Sequence, residues 1–366
     1  MKYSELLAAW RTILTGRKPF LSIEITRECP LRCPGCYAYG DSHLGSAGVT
    51  LRQLNDFRGD DLVRRVLDLV DEHKPIHLSI VGGDPLVRYR ELQTLLPALD
   101  NRRIHVQLVT SAFREIPPEW KCLSRLNVVV SIDGLQPEHD VRRKPATYVR
   151  ILKNIAGQRV SVHCTITGQM MKRPGYLRDF LAFWTSRDEI KRVWFSMFTP
   201  QVGDVAPEIL TQQERRLAVD DLLRLRREFP KLHMSEPMIR EFLSPPASPG
   251  ECIFAQTTTP LSADLKTVLT PCQFGGNPDC SQCGCAASLG LAAVGHSSLL
   301  GVIPLGALFA ASRTAGRAVV SLGRKNGSVQ PVSAGFGEYG GVKAVSRPSQ
   351  DAAVEQTETR EEEQLR

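Results

Sequence analysis

Apolar and polar residues alternate along Phe20-Leu-Ser-Ile-Glu-Ile-Thr26, the two-residue period of a half-buried strand. Segments 76–81, 104–109, 127–132, 159–166 and 192–198 are likewise rich in β-branched and aliphatic residues and predict five more strands. Helical patterns lie between them; Leu62, Val66, Leu69 and Val70, for example, fall at three- and four-residue spacing, which puts them on one helix face. Six strand–helix units imply an α/β fold with a parallel sheet and right-handed crossovers. Sites in parallel α/β barrels form at the carboxyl ends of the strands. Here those ends carry Cys29, Cys33 and Cys36, then Gly82, Gly83 and Asp84, Thr110 and Ser111, Ser131 and Asp133, Thr165 and Thr167, and Ser196. Small, polar and metal-binding residues thus converge on one rim.

The 366 residues can bury one large core and a small second module. Lys and Arg number 46 against 39 Asp and Glu, a net charge of +7 with no dense basic run. That mild excess suits an anionic surface or substrate and argues against nucleic acid as a partner. Residues 244–250 read as a Pro/Ser linker, no formal charge occurs from Ser281 to Ser312, and the chain after residue 325 is polar with a Glu-rich end, a composition that cannot bury a core. The opening MKYSELLAAW lacks a signal-peptide pattern, so the expected location is the cytoplasm, with peripheral attachment at the inner membrane face as a second expectation.

The loop after the first strand reads Cys29-Pro-Leu-Arg-Cys33-Pro-Gly-Cys36. Four cysteines normally hold a [4Fe–4S] cluster; three leave one iron without a protein ligand, open to a substrate or cofactor. Zinc would need a fourth ligand, for which His43 is near in sequence. Disulfides are disfavoured by the expected reducing compartment and by only ten cysteines in the chain.

With this loop, Val81-Gly82-Gly83-Asp84-Pro85 and Ser131-Ile-Asp133-Gly134, the chain resembles the radical S-adenosylmethionine (SAM) enzymes over residues 18–290. The resemblance implies a partial (βα)6 TIM-like barrel. It also implies that Cys29, Cys33 and Cys36 hold a [4Fe–4S] cluster whose open iron chelates SAM. Gly82 and Gly83 would let backbone approach the methionine moiety, Asp84 would accept a hydrogen bond from its ammonium group, and Ser131 and Asp133 would bind the ribose or carboxylate end. SAM would be cleaved reductively to a 5′-deoxyadenosyl radical, with the electron supplied by a donor such as flavodoxin or ferredoxin. Two positions depart from the pattern: Gly35 stands where many members carry an aromatic residue, leaving Tyr37 as the adenine contact, and Asp84 replaces a Glu. Arg142 and Arg143 either contact SAM or lie on a solvated surface. His77, His105 and His163 are expected as packed core histidines, Cys122 and Cys164 as buried thiols.

Cys252, Cys272, Cys280 and Cys283, with Cys285 spare, resemble the short twitch form of the SPASM auxiliary module found behind some of these barrels. They would hold a second [4Fe–4S] cluster; structural zinc and free thiols are the alternatives. The expected organisation is an amphipathic helix over 1–17, the barrel over 18–243, the cysteine module over 244–290, an apolar segment over 291–325 that touches membrane, and a disordered tail over 326–366.

Three functional readings follow. The first is modification of an unactivated carbon in a lipid or isoprenoid. It rests on the amino-terminal Leu6, Leu7, Trp10, Ile13 and Leu14 with Arg11, Arg17 and Lys18, and on the apolar run before Arg313, Arg317, Arg324 and Lys325, both of which suit an interface. Both segments could equally be helices packed on the barrel. In layout the chain also resembles the adenosyl-hopene transferases of hopanoid synthesis, through the basic amino-terminal helix, Gly35, the Asp133 to His139 spacing and the late Pro271-Cys272 and CxxC elements. The second reading is maturation of a ribosomal peptide. The third is a non-catalytic iron–sulfur electron carrier or sensor, which leaves the SAM-type strand ends unexplained.

Overall fold

The computed structural model describes residues 3–45, 49–299 and 303–325. Seven strands form one sheet: β1 Phe20–Glu24, β2 His77–Val81, β3 His105–Thr110, β4 Leu126–Ile132, β5 Val160–Ile166, β6 Ile190–Met197 and β7 Thr258–Leu261. Their order is β6-β5-β4-β3-β2-β1-β7, and every pairing is parallel. The sheet does not close, as expected of a partial barrel. The first six strands match the expected segments to within two residues. The seventh lies inside the region assigned to the cysteine module, so that region contributes to the barrel sheet. Its signal is weak because it has four residues and contains Pro260, which has no N–H for the ladder and is tolerated only at an edge. A hairpin follows it, with Ser262 N donating to Thr267 O and Leu269 N to Pro260 O.

The two sheet faces differ in chemistry. Leu21, Ile23, Leu78, Ile80, Leu108, Val130 and Val162 are almost completely buried on the face covered by helices such as Gly59–His73 and Tyr89–Asn101. The opposite face carries Ser22, Ser79, Gln107, Ser131, His163 and Ser196, all of which line one cavity. Full TIM barrels fill this space with bulky branched side chains; small polar ones leave a lumen.

Helix Ala286–His296 packs on β6 and on helix Ile253–Thr257, which leads into β7. It therefore walls the side on which the edge strands do not meet. Its Leu289 is buried, while Ala286, Ala287, Gly290, Leu291, Ala293 and Val294 face the lumen.

The amino-terminal helix is Tyr3–Leu14, and the last described helix is Leu305–Lys325. They pack on each other: Ile13 is buried with Leu305 and Phe309, and Trp10 stacks 5.9 Å from Phe309. Gly316 lets the backbones touch, since a Cβ there would lie 2.2 Å from Ile13 O. Ile13 and Trp10 of the apolar stripe expected to face membrane are thus engaged with the last described helix, while Leu7 and Leu14 remain exposed. Among the described residues no helix is long and apolar enough to cross a membrane. The 291–325 segment is broken by the short ladder of Ser298–Leu299 with Ile303–Pro304. The tail over 326–366 lies outside the described residues. Cys164 is buried as expected; Cys122 is exposed, because in the turn Pro118–Cys122 the residue facing the core is Trp120.

Tyr148 locks the turn after β4. Its hydroxyl donates to Gly134 O at 2.5 Å and accepts from Trp184 Nε1 at 3.0 Å, all buried. Tyr148→Phe leaves both groups unpaired and should cost about 1–3 kcal/mol, read as a lower urea midpoint at unchanged slope.

Candidate active site

The three cysteines of the first loop stand partly buried between β1 and the turn Tyr37–Tyr39. Leu31, 2% exposed, anchors the loop, and its N–H donates to Cys29 Sγ at 3.4 Å. Burial pushes the Cys29 thiol up to about 12 and also raises Cys33 and Cys36, with Arg143 pulling the latter two back. Such thiols ionise when a metal cation binds. Gly35 has φ +66°, a left-handed conformation that excludes a bulky side chain; an aromatic residue does not fit this loop. Tyr37 instead packs edge-on against His43 and Phe274, with ring centroids 5.6 and 5.4 Å away, and remains 40% exposed.

A network the sequence reading missed fixes the loop from behind. Glu24, 1% exposed at the end of β1, meets His43 Nε2 at 2.7 Å with one oxygen and accepts from Ser262 Oγ at 2.6 Å with the other. His43 Nδ1 lies 2.9 Å from Phe274 O. Both ring nitrogens face acceptors, so the imidazolium satisfies both. Burial alone would lower the His43 pKa, but the hydrogen bond and charge of Glu24 outweigh it and the value is raised. With both nitrogens engaged, His43 is not available as a fourth metal ligand. The sequence signal was an acidic residue at the end of β1, on the face that also carries Phe20 and Ser22.

The Gly-Gly-Asp-Pro loop is locked to the cysteine loop. Gly82 and Gly83 have φ +79° and +47°; a Cβ on Gly82 would lie 2.2 Å from Glu24 Cβ, and one on Gly83 2.1 Å from Glu28 O. The glycines are therefore required by neighbouring protein, a reason the sequence did not show. Asp84 is equally committed. Its carboxylate accepts from Leu86 N at 3.0 Å, Thr110 Oγ1 at 2.7 Å, Ser111 N at 2.9 Å and the Ser111 hydroxyl. The expectation that it meets an ammonium group finds both oxygens already engaged. Behind it, buried Arg88 bridges Asp56 at 2.6 Å and Glu28 at 3.1 Å.

Asp133 pairs with Arg142 at 3.1 Å and with Arg143 at 2.7 Å, and Arg142 also reaches Glu208 at 2.9 Å. Burial raises the Asp133 pKa, but the two guanidinium groups outweigh it and hold it near 2. Both arginines line the cavity, partly buried and paired with Asp133, and so do not lie on an open solvated surface. His139 accepts from Asp133 N at 3.0 Å through Nδ1 and lies 2.9 Å from Ala146 O through Nε2, so it is neutral; burial lowers its pKa to about 4. Of the three strand histidines, His163 and His77 face the lumen, with His163 Nε2 2.8 Å from Ser196 Oγ; His105 meets Arg125 at 2.9 Å.

Cys29, Cys33, Cys36, Tyr37, Gly82, Gly83, Asp84, Ser131 and Asp133 all line one cavity of about 2040 Å³. Small-molecule pockets usually span about 300–1,000 Å³, so this lumen has room for a cofactor and a sizeable substrate together. Cys252, Cys272, Cys280, Cys283 and Cys285 line a second cavity of about 30 Å³. Arg215 holds that loop by donating to Gln282 O at 2.7 Å and Cys283 O at 3.2 Å, and Met197 N donates to Gly284 O. Cys285 lines both cavities. Among the described residues no group of three or more His, Cys, Asp or Glu is gathered at metal-binding distance.

Residues 23–175 match the family model of the Radical SAM superfamily. The chain carries a radical SAM domain. Among solved structures, the radical SAM domain and its surroundings resemble native anSMEcpe with bound AdoMet (TM-score 0.50, 16% identity, 69% of this chain and 74% of that one). They also resemble anSMEcpe with AdoMet and the Cp18Cys peptide (TM-score 0.51, 14% identity, 69% and 73%). Streptococcus suis SuiB bound to S-adenosylmethionine aligns at TM-score 0.48 and 15% identity over 71% of this chain, which spans 60% of SuiB. At these identities the likeness is one of fold. No curated protein matches the sequence. Radical SAM enzymes use a [4Fe–4S] cluster and SAM. The donor set fits: three thiols on one loop, at the mouth of a large cavity, with no carboxylate among them.

Glu24→Gln removes the charge that keeps His43 protonated. A raised imidazole contributes stability that is complete below its unfolded value of about 6.5 and is lost as pH rises through the folded value. The unfolding free energy of the wild type should exceed that of Glu24→Gln most in mildly acidic buffer, and the gap should narrow as the buffer turns alkaline. A gap independent of pH would refute the imidazolium assignment.

Proposed function

We propose that the protein uses its radical SAM domain to modify an unactivated carbon of a lipid or isoprenoid. Cys29, Cys33 and Cys36 would hold a [4Fe–4S] cluster, which would supply the electron for reductive cleavage of SAM. The chain's own residues do the rest. Arg142 and Arg143 sit on the rim with Asp133 and place positive charge beside the thiol loop. Ser131 offers a hydroxyl from β4 to the same space. The lumen holds a substrate away from bulk water, which protects a reactive carbon from side reactions.

The observation that carries the lipid reading is the wall formed by Ala286–His296. Its lumen face is Ala, Gly, Leu and Val without a charge, and Phe20 and Phe254 line the same space. An elongated apolar molecule fits such a lumen better than a charged one. A second reading, peptide modification, draws on the fold shared with anSMEcpe, a structure of which contains a Cp18Cys peptide. The five thiols around the smaller cavity support a second cluster on Cys252, Cys272, Cys280 and Cys283, served by a donor such as flavodoxin or ferredoxin.

Anaerobically reconstituted protein should convert SAM to 5′-deoxyadenosine with dithionite, and Cys33→Ala should abolish that turnover. Cys280→Ala should lose the iron and sulfide of one cluster while the SAM-cleaving set remains; unchanged iron would remove the second cluster. SAM turnover accelerated by a membrane-lipid extract and not by peptide pools supports the lipid reading, and the reverse result overturns it.

A further inference from the structure

Halfway down the lumen, three polar side chains stand side by side without a partner. Ser22 of β1 is in register with Ser79 of β2, and Ser79 with Gln107 of β3. Neighbouring strands run about 4.8 Å apart, so the three form a row about 10 Å wide, and all of them line the cavity. None makes a side-chain hydrogen bond to the described residues. Ser22 is only 3% exposed, yet the hydroxyl and amide atoms of the row are not sealed in protein and touch the open lumen.

The rest of the inner wall behaves differently. His163 Nε2 lies 2.8 Å from Ser196 Oγ, which also accepts from Ala286 N at 3.2 Å. Glu24, the next inward residue after Ser22, has both oxygens engaged by His43 and Ser262. Phe20 and His77 line the lumen on the amino side of the row, Val81 and Val109 on its carboxyl side. Barrel interiors are ordinarily filled by branched aliphatic side chains, and buried polar groups are ordinarily paired. A hydrocarbon seated on this row would strip water from two hydroxyls and a carboxamide and return no hydrogen bond. Each group of the row both donates and accepts, and none is charged. Such a row matches a neutral, hydroxyl-rich group; a phosphate or carboxylate would meet no cation in it.

We propose that Ser22, Ser79 and Gln107 form a subsite for the hydroxyl-bearing end of the substrate, a polyol or sugar carried on an apolar skeleton. The inference rests on the lipid reading for that skeleton, which lies against the Ala286–His296 wall. Ser79 precedes Gly82 by three residues, so at about 3.3 Å per residue the row lies about 10 Å below the Gly-Gly turn. The hydroxylated end thus anchors the molecule deep in the lumen and leaves a carbon nearer the thiol loop to react. A remote anchor positions the reacting carbon without touching it.

Titration calorimetry of the full-length reconstituted protein with octyl β-glucoside, below its micelle concentration, should show saturable binding. 1-Octanol keeps the chain and only one hydroxyl, and should bind about tenfold or more weakly, because a site built to bond hydroxyls rejects an analogue lacking them. Gln107→Leu should weaken glucoside binding about tenfold and leave 1-octanol binding unchanged. Ser79→Ala should act in the same direction and serves if the first variant does not fold. The subsite is overturned if the glucoside does not bind saturably, if it binds no better than 1-octanol, or if wild type and both variants bind it equally. It is also overturned if Gln107→Leu weakens the binding of a peptide pool and not that of the glucoside. The subsite and the lipid reading fail separately. SAM turnover accelerated by the lipid extract, with no preference for the glucoside, removes the subsite and keeps the lipid reading. Glucoside binding that depends on Gln107, with SAM turnover accelerated only by peptides, keeps the hydroxyl-binding row and removes the lipid skeleton.

Discussion

Glu24 is the residue around which the site is assembled. It closes β1, lies almost wholly out of water, and has both oxygens engaged, one by His43 and one by Ser262. Through His43 it reaches Phe274, and through Ser262 the hairpin that continues β7. A buried charge left without its partner typically costs about 3–5 kcal/mol. The cysteine loop, the edge strand and the chain leading to the second thiol set are therefore held in one arrangement. The glycine pair adds to this, because Gly82 lies flat on Glu24 and leaves no room for either to shift.

The same economy runs through the rest of the rim. Asp84 ties the loop after β2 to the end of β3, and Asp133 ties β4 to Arg142 and Arg143. Asp84 and Asp133 at the strand ends thus hold protein parts together, while the thiols of Cys29, Cys33 and Cys36 and the Ser131 hydroxyl line the lumen beside them. A site of this kind is rigid before anything binds, which is what positioning a short-lived reactive species demands.

Much of this was legible in the sequence. Six strands follow from the alternation of aliphatic and small polar residues, because in an open barrel one face is helix-covered and the other lines a lumen. Cys29, Cys33 and Cys36, and the residues at the other strand ends, were legible because parallel topology collects such positions on one side. What was not legible depends on contacts between distant segments. Ser262 lies 238 residues from the carboxylate it meets, and no local pattern marks it. Pro260 disguised β7 as loop. Gly82, Gly83 and Asp84 line the cavity, as their strand-end positions imply, but their contacts with Glu24, Glu28, Thr110 and Ser111 were not legible, because sequence shows residue type and not which neighbour lies against it. Cys285 looked spare for the same reason, although it stands in the partition between the two cavities.

The helix that walls the lumen is joined to the sheet by side-chain packing and not by a continuous main-chain ladder. A strand in that position could change its inner surface only along alternate residues, and an insertion would slip its register. Swapping Ala287, Gly290 or Ala293 for larger residues would narrow the bore stepwise while the thiol rim stayed fixed. The bore of the lumen is thus set on one side by a single helix, apart from the strand ends that carry the thiols.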